Sequence, residues 1–151
     1  TRPLDIVLMV QREVADRILA EPGGREYGAL SVGVRTVARV ERLFDVGRRA
    51  FRPVPDVDSS VVRITPVRPP PLSEPEERAV RTLTRAAFSR RRKQLGTILR
   101  SAPELALDAD AVDALAEETG IEMRRRPETL APDEFVALTR GLRARGRLRG
   151  G

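Results

Sequence analysis

The run Val67-Arg68-Pro69-Pro70-Pro71 constrains the fold of this chain more than any other feature. Each proline fixes its own φ near about −65° and removes a backbone donor, so the run can lie neither inside a helix nor in an inner strand. It reads as a linker, and the residues on its two sides carry different periodicities. The chain is therefore divided into residues 1–66, a linker at 67–72, a helical domain at 73–142 and a basic tail at 143–151, read as having no apolar payload and as disordered.

Before the linker, Pro3 suits a first helical turn, and Val7, Val10, Val14 and Ile18 recur at helical spacing, which predicts a helix over 4–20. Pro22, Gly23 and Gly24 end it. From Leu30 the period becomes two, with Leu30, Val32, Val34, Thr36, Ala38 and Val40 on one face and Ser31, Gly33, Arg35, Arg39 and Glu41 on the other. That is the pattern of a half-buried strand. Ser60 to Thr65 reads as a second strand, paired antiparallel with the first at one end of a sheet.

Beyond the linker the pattern is helical throughout. Ser73 and Glu76 form a capping box, ahead of a buried face made by Val80, Leu83, Ala87 and Phe88. Ser89 is read as the cap of a new helix carrying Leu95, Ile98 and Leu99, with one kinked helix as the alternative. Asp108 or Asp110 starts a third, with Val112 and Leu115 inward and Gly120 as its stop. Pro132 starts the last, where Phe135, Leu138 and Leu142 face in, and Asp133 and Glu134 sit at the positive end of its dipole.

Composition narrows the chemistry. His, Cys and Asn are absent, which removes the usual general base, the thiol nucleophile, the common zinc ligands and any disulfide framework. No apolar run approaches the roughly 20 residues of a membrane helix, so neither a membrane nor a metal enters the reading, and a cytoplasmic location fits. Lys93 is the only lysine among 28 basic residues, a bias of GC-rich codons. The net charge of +6 is uneven: 12 basic against 9 acidic groups over 1–72, 8 against 3 over 73–100, 3 against 10 over 101–135, and 5 against none over 136–151. Such polarisation attracts a polyanion to one side.

Two segments carry candidate function. In Phe51-Arg52-Pro53-Val54-Pro55-Asp56-Val57-Asp58-Ser59-Ser60 a single ring precedes a stiff proline pair that leads into a β-branched strand. Phe51 then either plugs a core edge or is held out for a ligand. Arg90, Arg91, Arg92 and Lys93 are four consecutive cations that sweep most of the way round a helix and cannot all find intrahelical acids. They are either a solvated face, with one arginine bonded to the other domain, or a contact for RNA phosphates. Arg124 and Arg125, with Arg126, either extend that patch or offset the acidic helix before them.

Taken in order, Leu8-Met9-Val10-Gln11-Arg12-Glu13-Val14-Ala15-Asp16-Arg17-Ile18, Tyr27-Gly28-Ala29-Leu30-Ser31-Val32, the Phe51 segment, Phe88-Ser89-Arg90-Arg91-Arg92-Lys93-Gln94-Leu95 and Arg126-Pro127-Glu128-Thr129-Leu130 resemble the KsgA family of small-subunit rRNA adenine N6,N6-dimethyltransferases. The likeness covers roughly residues 4 to 142 but begins midway through the family pattern. The resemblance implies an α/β fold: the C-terminal part of a Rossmann-like methyltransferase domain, a helix plus antiparallel end strands, followed by a small all-α RNA-binding domain. It implies S-adenosylmethionine as donor, bound outside this chain, because no Gly-x-Gly turn joins a strand to a helix and the family's Asn-Leu-Pro-Tyr type loop is missing. It implies 16S rRNA and the small ribosomal subunit as partners, with Phe51 stacking the target adenine and Arg90, Arg91, Arg92, Lys93, Arg124 and Arg125 on RNA. The chain alone is then inactive, and its incomplete sheet is a candidate for self-association. Other readings are a large-subunit rRNA methyltransferase of the antibiotic-resistance type, a non-enzymatic ribosome-assembly module and, last, a DNA-binding helical domain.

Overall fold

The computed structural model describes residues 3–149. β1 (Ile6–Gln11) runs straight into α1 (Arg12–Leu19); α2 (Ala29–Arg35), β2 (Ala38–Val46) and β3 (Ser59–Pro66) follow. Four further helices come after the prolines: α3 (Glu74–Phe88), α4 (Leu95–Ser101), α5 (Ala109–Thr119) and α6 (Pro132–Ala144). The class is α/β. Its sheet has the order β1-β3-β2 and is antiparallel throughout. Val62 of the central strand is fully buried, opposite Leu8 and Arg42, and an extra residue at Leu43 bulges β2 so that Phe44 rather than Leu43 opposes Val61.

The expected pairing of β2 with β3 is present, but two element assignments in the first part are corrected. Residues 6–11 are strand, not the first turns of a helix over 4–20. Ile6 to Val10 are five apolar residues in a row with no period of their own, and β3 is there to bond them. Residues 29–35 are helix, not the opening of a strand. The Gly28 N–H donates to Ser31 Oγ at 3.1 Å, and the buried Ser31 hydroxyl donates to the Arg17 carbonyl, which together turn the chain locally into a helix start. Val32 then buries against the helical part, and the strand begins only at Ala38.

Past the prolines the capping chemistry is as expected. Ser73 Oγ accepts the Glu76 N–H while Glu76 accepts the Ser73 N–H at 2.7 Å, Asp108 accepts the Ala111 N–H at 2.8 Å, and Gly120 closes α5 in the left-handed region at φ 73°. Ser89 is corrected from a helix start to a helix end. Its N–H reaches the Arg85 carbonyl at 3.0 Å and its hydroxyl the Ala86 carbonyl at 2.9 Å, so it finishes α3, and residues 90–93 form a turn rather than helix. The tail is corrected too: α6 runs to Ala144, Arg145 bonds Glu118 at 2.7 Å, Arg147 donates to the Leu105 carbonyl at 2.7 Å, and Leu148 packs on the core. Guanidinium bonds and the Leu148 contact hold this segment against the helical part; residues 150 and 151 lie outside the described ones.

One hydrophobic cluster joins Leu83, Leu95, Ile98, Leu99, Leu115, Leu138 and Leu142 of the helical part to Tyr27 and Val32. α2 thus packs on α3 and α6, so the first part carries one helix of the second part's core. Each such fully buried aliphatic side chain contributes about 1.5–3 kcal/mol. At Gly141 a Cβ would lie 2.3 Å from Leu115 Cδ1, which records how closely α5 and α6 approach.

Candidate functional site

The loop 47–58 between β2 and β3 presents Phe51. A 3-10 turn at Arg48–Ala50 delivers it, with the Phe51 N–H on the Arg48 carbonyl at 3.3 Å and an extended backbone at φ −113°. The neck of the loop is closed by Asp58. Its carboxylate accepts the Arg48 N–H at 2.9 Å, its carbonyl accepts the Arg12 N–H at 3.0 Å, and the Arg48 guanidinium donates to the Asp56 carbonyl at 3.3 Å. Phe51 is half-buried, while Val54 and Val57 beside it are exposed.

Below the neck, Arg42 bonds Asp16, Asp45 at 2.9 Å and Ser60 at 2.7 Å, and the fully buried Ser60 hydroxyl donates to Asp45 at 2.6 Å. The Ser60 hydroxyl, then the Arg42 guanidinium, hold the Asp45 carboxyl below its usual range. The network ties β2, β3 and α1 into one base for the loop. The sequence by itself does not signal its members, because Asp45 and Ser60 become neighbours only through the β2–β3 register.

The cations divide into bonded and free. Arg90 donates to the Ala86 carbonyl at 3.2 Å and lies 3.9 Å from Glu104. Arg91 crosses to the other part, donating to the Tyr27 carbonyl at 3.0 Å with its guanidinium carbon 5.8 Å from the centre of the Phe88 ring. Arg125 is committed to Glu134, at 2.6 and 3.0 Å, and to the Thr129 carbonyl at 2.6 Å. That pairing holds the Glu134 carboxyl below its usual range, first through the Arg125 guanidinium and then, against burial, through the Ala131 N–H. Arg92, Lys93 and Arg124 are exposed and have no side-chain partner among the described residues. Two backbone bonds, Leu95 N–H to Arg125 at 2.7 Å and Gly96 N–H to Met123 at 2.9 Å, bring the 123–125 segment against the start of α4, directly after Lys93. The two arginine runs therefore share one corner.

The junction of β1 and α1 does not fit S-adenosylmethionine. A nucleoside donor is cradled by a glycine turn between a strand and a helix, whereas Gln11 at the end of β1 is followed at once by Arg12 of α1, and no glycine lies between Ile6 and Leu19.

The profile of the ribosomal RNA adenine dimethylase family matches residues 1–140, and the chain belongs to that family. It is similar to proteins named Ribosomal RNA small subunit methyltransferase A: 43% identical over 134 residues in Desulfitobacterium hafniense, covering 89% of this chain and 47% of that one, and 49% identical over 137 residues in Chelativorans sp., covering 89% and 46%. The chain spans about half the length of the curated relatives it matches. Among solved structures, a dimethyladenosine transferase from Plasmodium falciparum aligns with a TM-score of 0.80 at 26% identity over 95% of this chain and 58% of that one. The 23S rRNA methyltransferase ErmE aligns with a TM-score of 0.61 at 22% identity over 92% and 55%, a likeness of fold alone.

Proposed function

We propose that this chain forms part of an S-adenosylmethionine-dependent rRNA adenine N6,N6-dimethyltransferase that acts on 16S rRNA during small-subunit assembly in the cytoplasm. The relatives' shared name favours the small subunit over the large. In this reading residues 1–66 are the end of a Rossmann-like catalytic domain, 73–142 an RNA-binding domain, and the donor is held by a part of the enzyme outside this chain.

The observation that carries the proposal is the stapled loop that holds Phe51 half-exposed. An adenine amino nitrogen is a poor nucleophile, because its lone pair is delocalised into the ring. The base must leave its stack and present that nitrogen to a methyl donor. Phe51 is the platform: stacking on the extruded base is worth about 1–3 kcal/mol and fixes its plane. The amine can lose its proton after methyl transfer, so a chain without histidine suffices.

With the donor-binding half present, Phe51→Ala is expected to lower methyl transfer roughly 5- to 150-fold, the rate equivalent of that stacking energy, while RNA affinity changes far less. Phe51→Tyr should keep much of the rate. A normal rate in Phe51→Ala would make Phe51 the plug of a core edge. The chain by itself should show no saturable S-adenosylmethionine binding in calorimetry.

A further inference from the structure

The bulge at Leu43 decides which side chains lie beneath the loop 47–58. In an uninterrupted ladder running on from Arg42 opposite Val62, Leu43 would oppose Val61 and Phe44 would oppose the buried Ser60, so the ring would face α1 and Asp45 the open side of the sheet. The bulge exchanges the two: Phe44 opposes Val61 and is 57% exposed, while Asp45 opposes Ser60 on the side where Arg42 meets Asp16 of α1. A ring turned out and a carboxylate turned in run against hydrophobic patterning, and departures of that kind concentrate at functional sites. One oxygen of Asp45, Oδ1, accepts from Arg42 at 2.9 Å and from the Ser60 hydroxyl at 2.6 Å, and Arg42 also donates to that hydroxyl at 2.7 Å. The Asp45–Ser60 bond joins the two stems of the loop one rung before the last pair, Val46 opposite Ser59. Asp58 on the Arg48 N–H closes the next rung, and Phe51 follows the turn that Arg48 begins.

We propose that Asp45 is a positioning residue for Phe51: by clamping both stems of the loop to α1 through Ser60 and Arg42, it sets the direction in which the ring leaves the sheet. The inference rests on the reading of Phe51 as the platform for an extruded adenine and adds the residue that aims it. Asp45 touches no substrate in this scheme and acts only through the ring. The 3-10 turn at Arg48–Ala50 is the one regular element of the loop, so without a clamp at its base the closed form competes with many open ones. A platform assists transfer only while the base plane is held toward the methyl donor, and a displacement of about 1 Å can cost as much as roughly 100-fold in rate. The charge on Asp45 strengthens both bonds that its oxygen accepts, which makes a carboxylate a stiffer clamp than a neutral amide.

With the donor-binding half present, single-turnover methyl transfer to small-subunit rRNA is measured for Asp45→Ala, Asp45→Asn, Phe51→Ala and Asp45→Ala combined with Phe51→Ala. Asp45→Ala should lower the rate about 3- to 10-fold at unchanged RNA affinity, less than Phe51→Ala does, and Asp45→Asn, which keeps the accepting oxygen, should recover most of the loss. Because Asp45 acts through the ring, adding Asp45→Ala to Phe51→Ala should lower the rate no further. On the chain by itself, trypsin should cut after Arg48 or Arg49, both exposed, about 3- to 10-fold faster in Asp45→Ala than in the wild type, with cleavage elsewhere unchanged. Should Asp45→Ala not fold, Ser60→Ala, which removes one donor from the same oxygen, takes its place in both assays. Wild-type cleavage or a wild-type rate in Asp45→Ala, with Phe51→Ala still slow, would overturn the positioning role and leave the platform standing. Losses that multiply in full in the combined variant would also overturn it, because Asp45 would then support the fold and not the ring. A normal rate in Phe51→Ala would remove the platform reading, and the positioning role with it.

Discussion

The Tyr27 hydroxyl donates to the Leu130 carbonyl at 2.6 Å, a buried bond that spans 103 positions of sequence and fastens the entry to α2 to the segment ahead of α6. The same tyrosine meets Phe88 edge-on at 5.9 Å and lends its carbonyl to Arg91. Burial pushes the Tyr27 hydroxyl pKa up to about 12. The folded value lies above the unfolded one, so this contribution to stability is whole below about pH 10 and is lost as pH rises toward 12. Tyr27 is the only tyrosine and there is no tryptophan, so an ultraviolet titration reads it directly. Tyr27→Phe should cost about 1–3 kcal/mol at neutral pH, from the orphaned carbonyl, and should lose the alkaline decline.

Arg125 and Glu134 make a second tie, nine positions apart. The folded Glu134 pKa is depressed, so its contribution is present above the usual glutamate range and is lost as pH falls through the folded value. Arg125→Gln should lower stability by about 1–2 kcal/mol at pH 7, and its deficit against the wild type should shrink in denaturant melts run at progressively lower pH.

The basic turn should split in two by assay. Arg91→Gln breaks the bond to Tyr27 and the stacking on Phe88, and a deficit of about 1 kcal/mol lowers the melting temperature by about 2–4 °C. Arg92→Gln with Lys93→Gln should leave melting unchanged and make the salt slope of rRNA binding shallower by about 1.4–1.8. An unchanged slope in that folded double variant would remove the corner at Arg92, Lys93 and Arg124 as the RNA surface.

β1 is bonded on one side only among the described residues, and Val7 and Met9 are more than half exposed on it. An apolar edge of this kind recruits another strand. The chain on its own is expected to self-associate in sedimentation runs as concentration rises, and Met9→Lys should shift it toward monomer. Monomeric wild type at high concentration would refute the claim.

Local chemistry was legible in the sequence wherever a short run settles its own conformation. The Ser73–Glu76 box, Gly120 as the stop of α5 and the Pro132 start depend on residues within four positions of one another and stand as read; of the two aspartates offered for α5 it is Asp108 that caps, and the strand expected over 60–65 runs over 59–66. The family was legible too, because several motifs kept their order along the chain. The tertiary structure decided the rest. Ile6 to Val10 became strand because β3 was there to bond them, and Ala29 to Arg35 became helix because Ser31 and Val32 found partners in α1 and the helical core. It also sorted the cations, committing Arg125 to Glu134 and Arg91 to Tyr27 while leaving Arg92, Lys93 and Arg124 to solvent. A charge run states how many cations there are. Which of them is free depends on the carboxylates and carbonyls that folding brings within about 3 Å, and those come from positions up to 64 residues away.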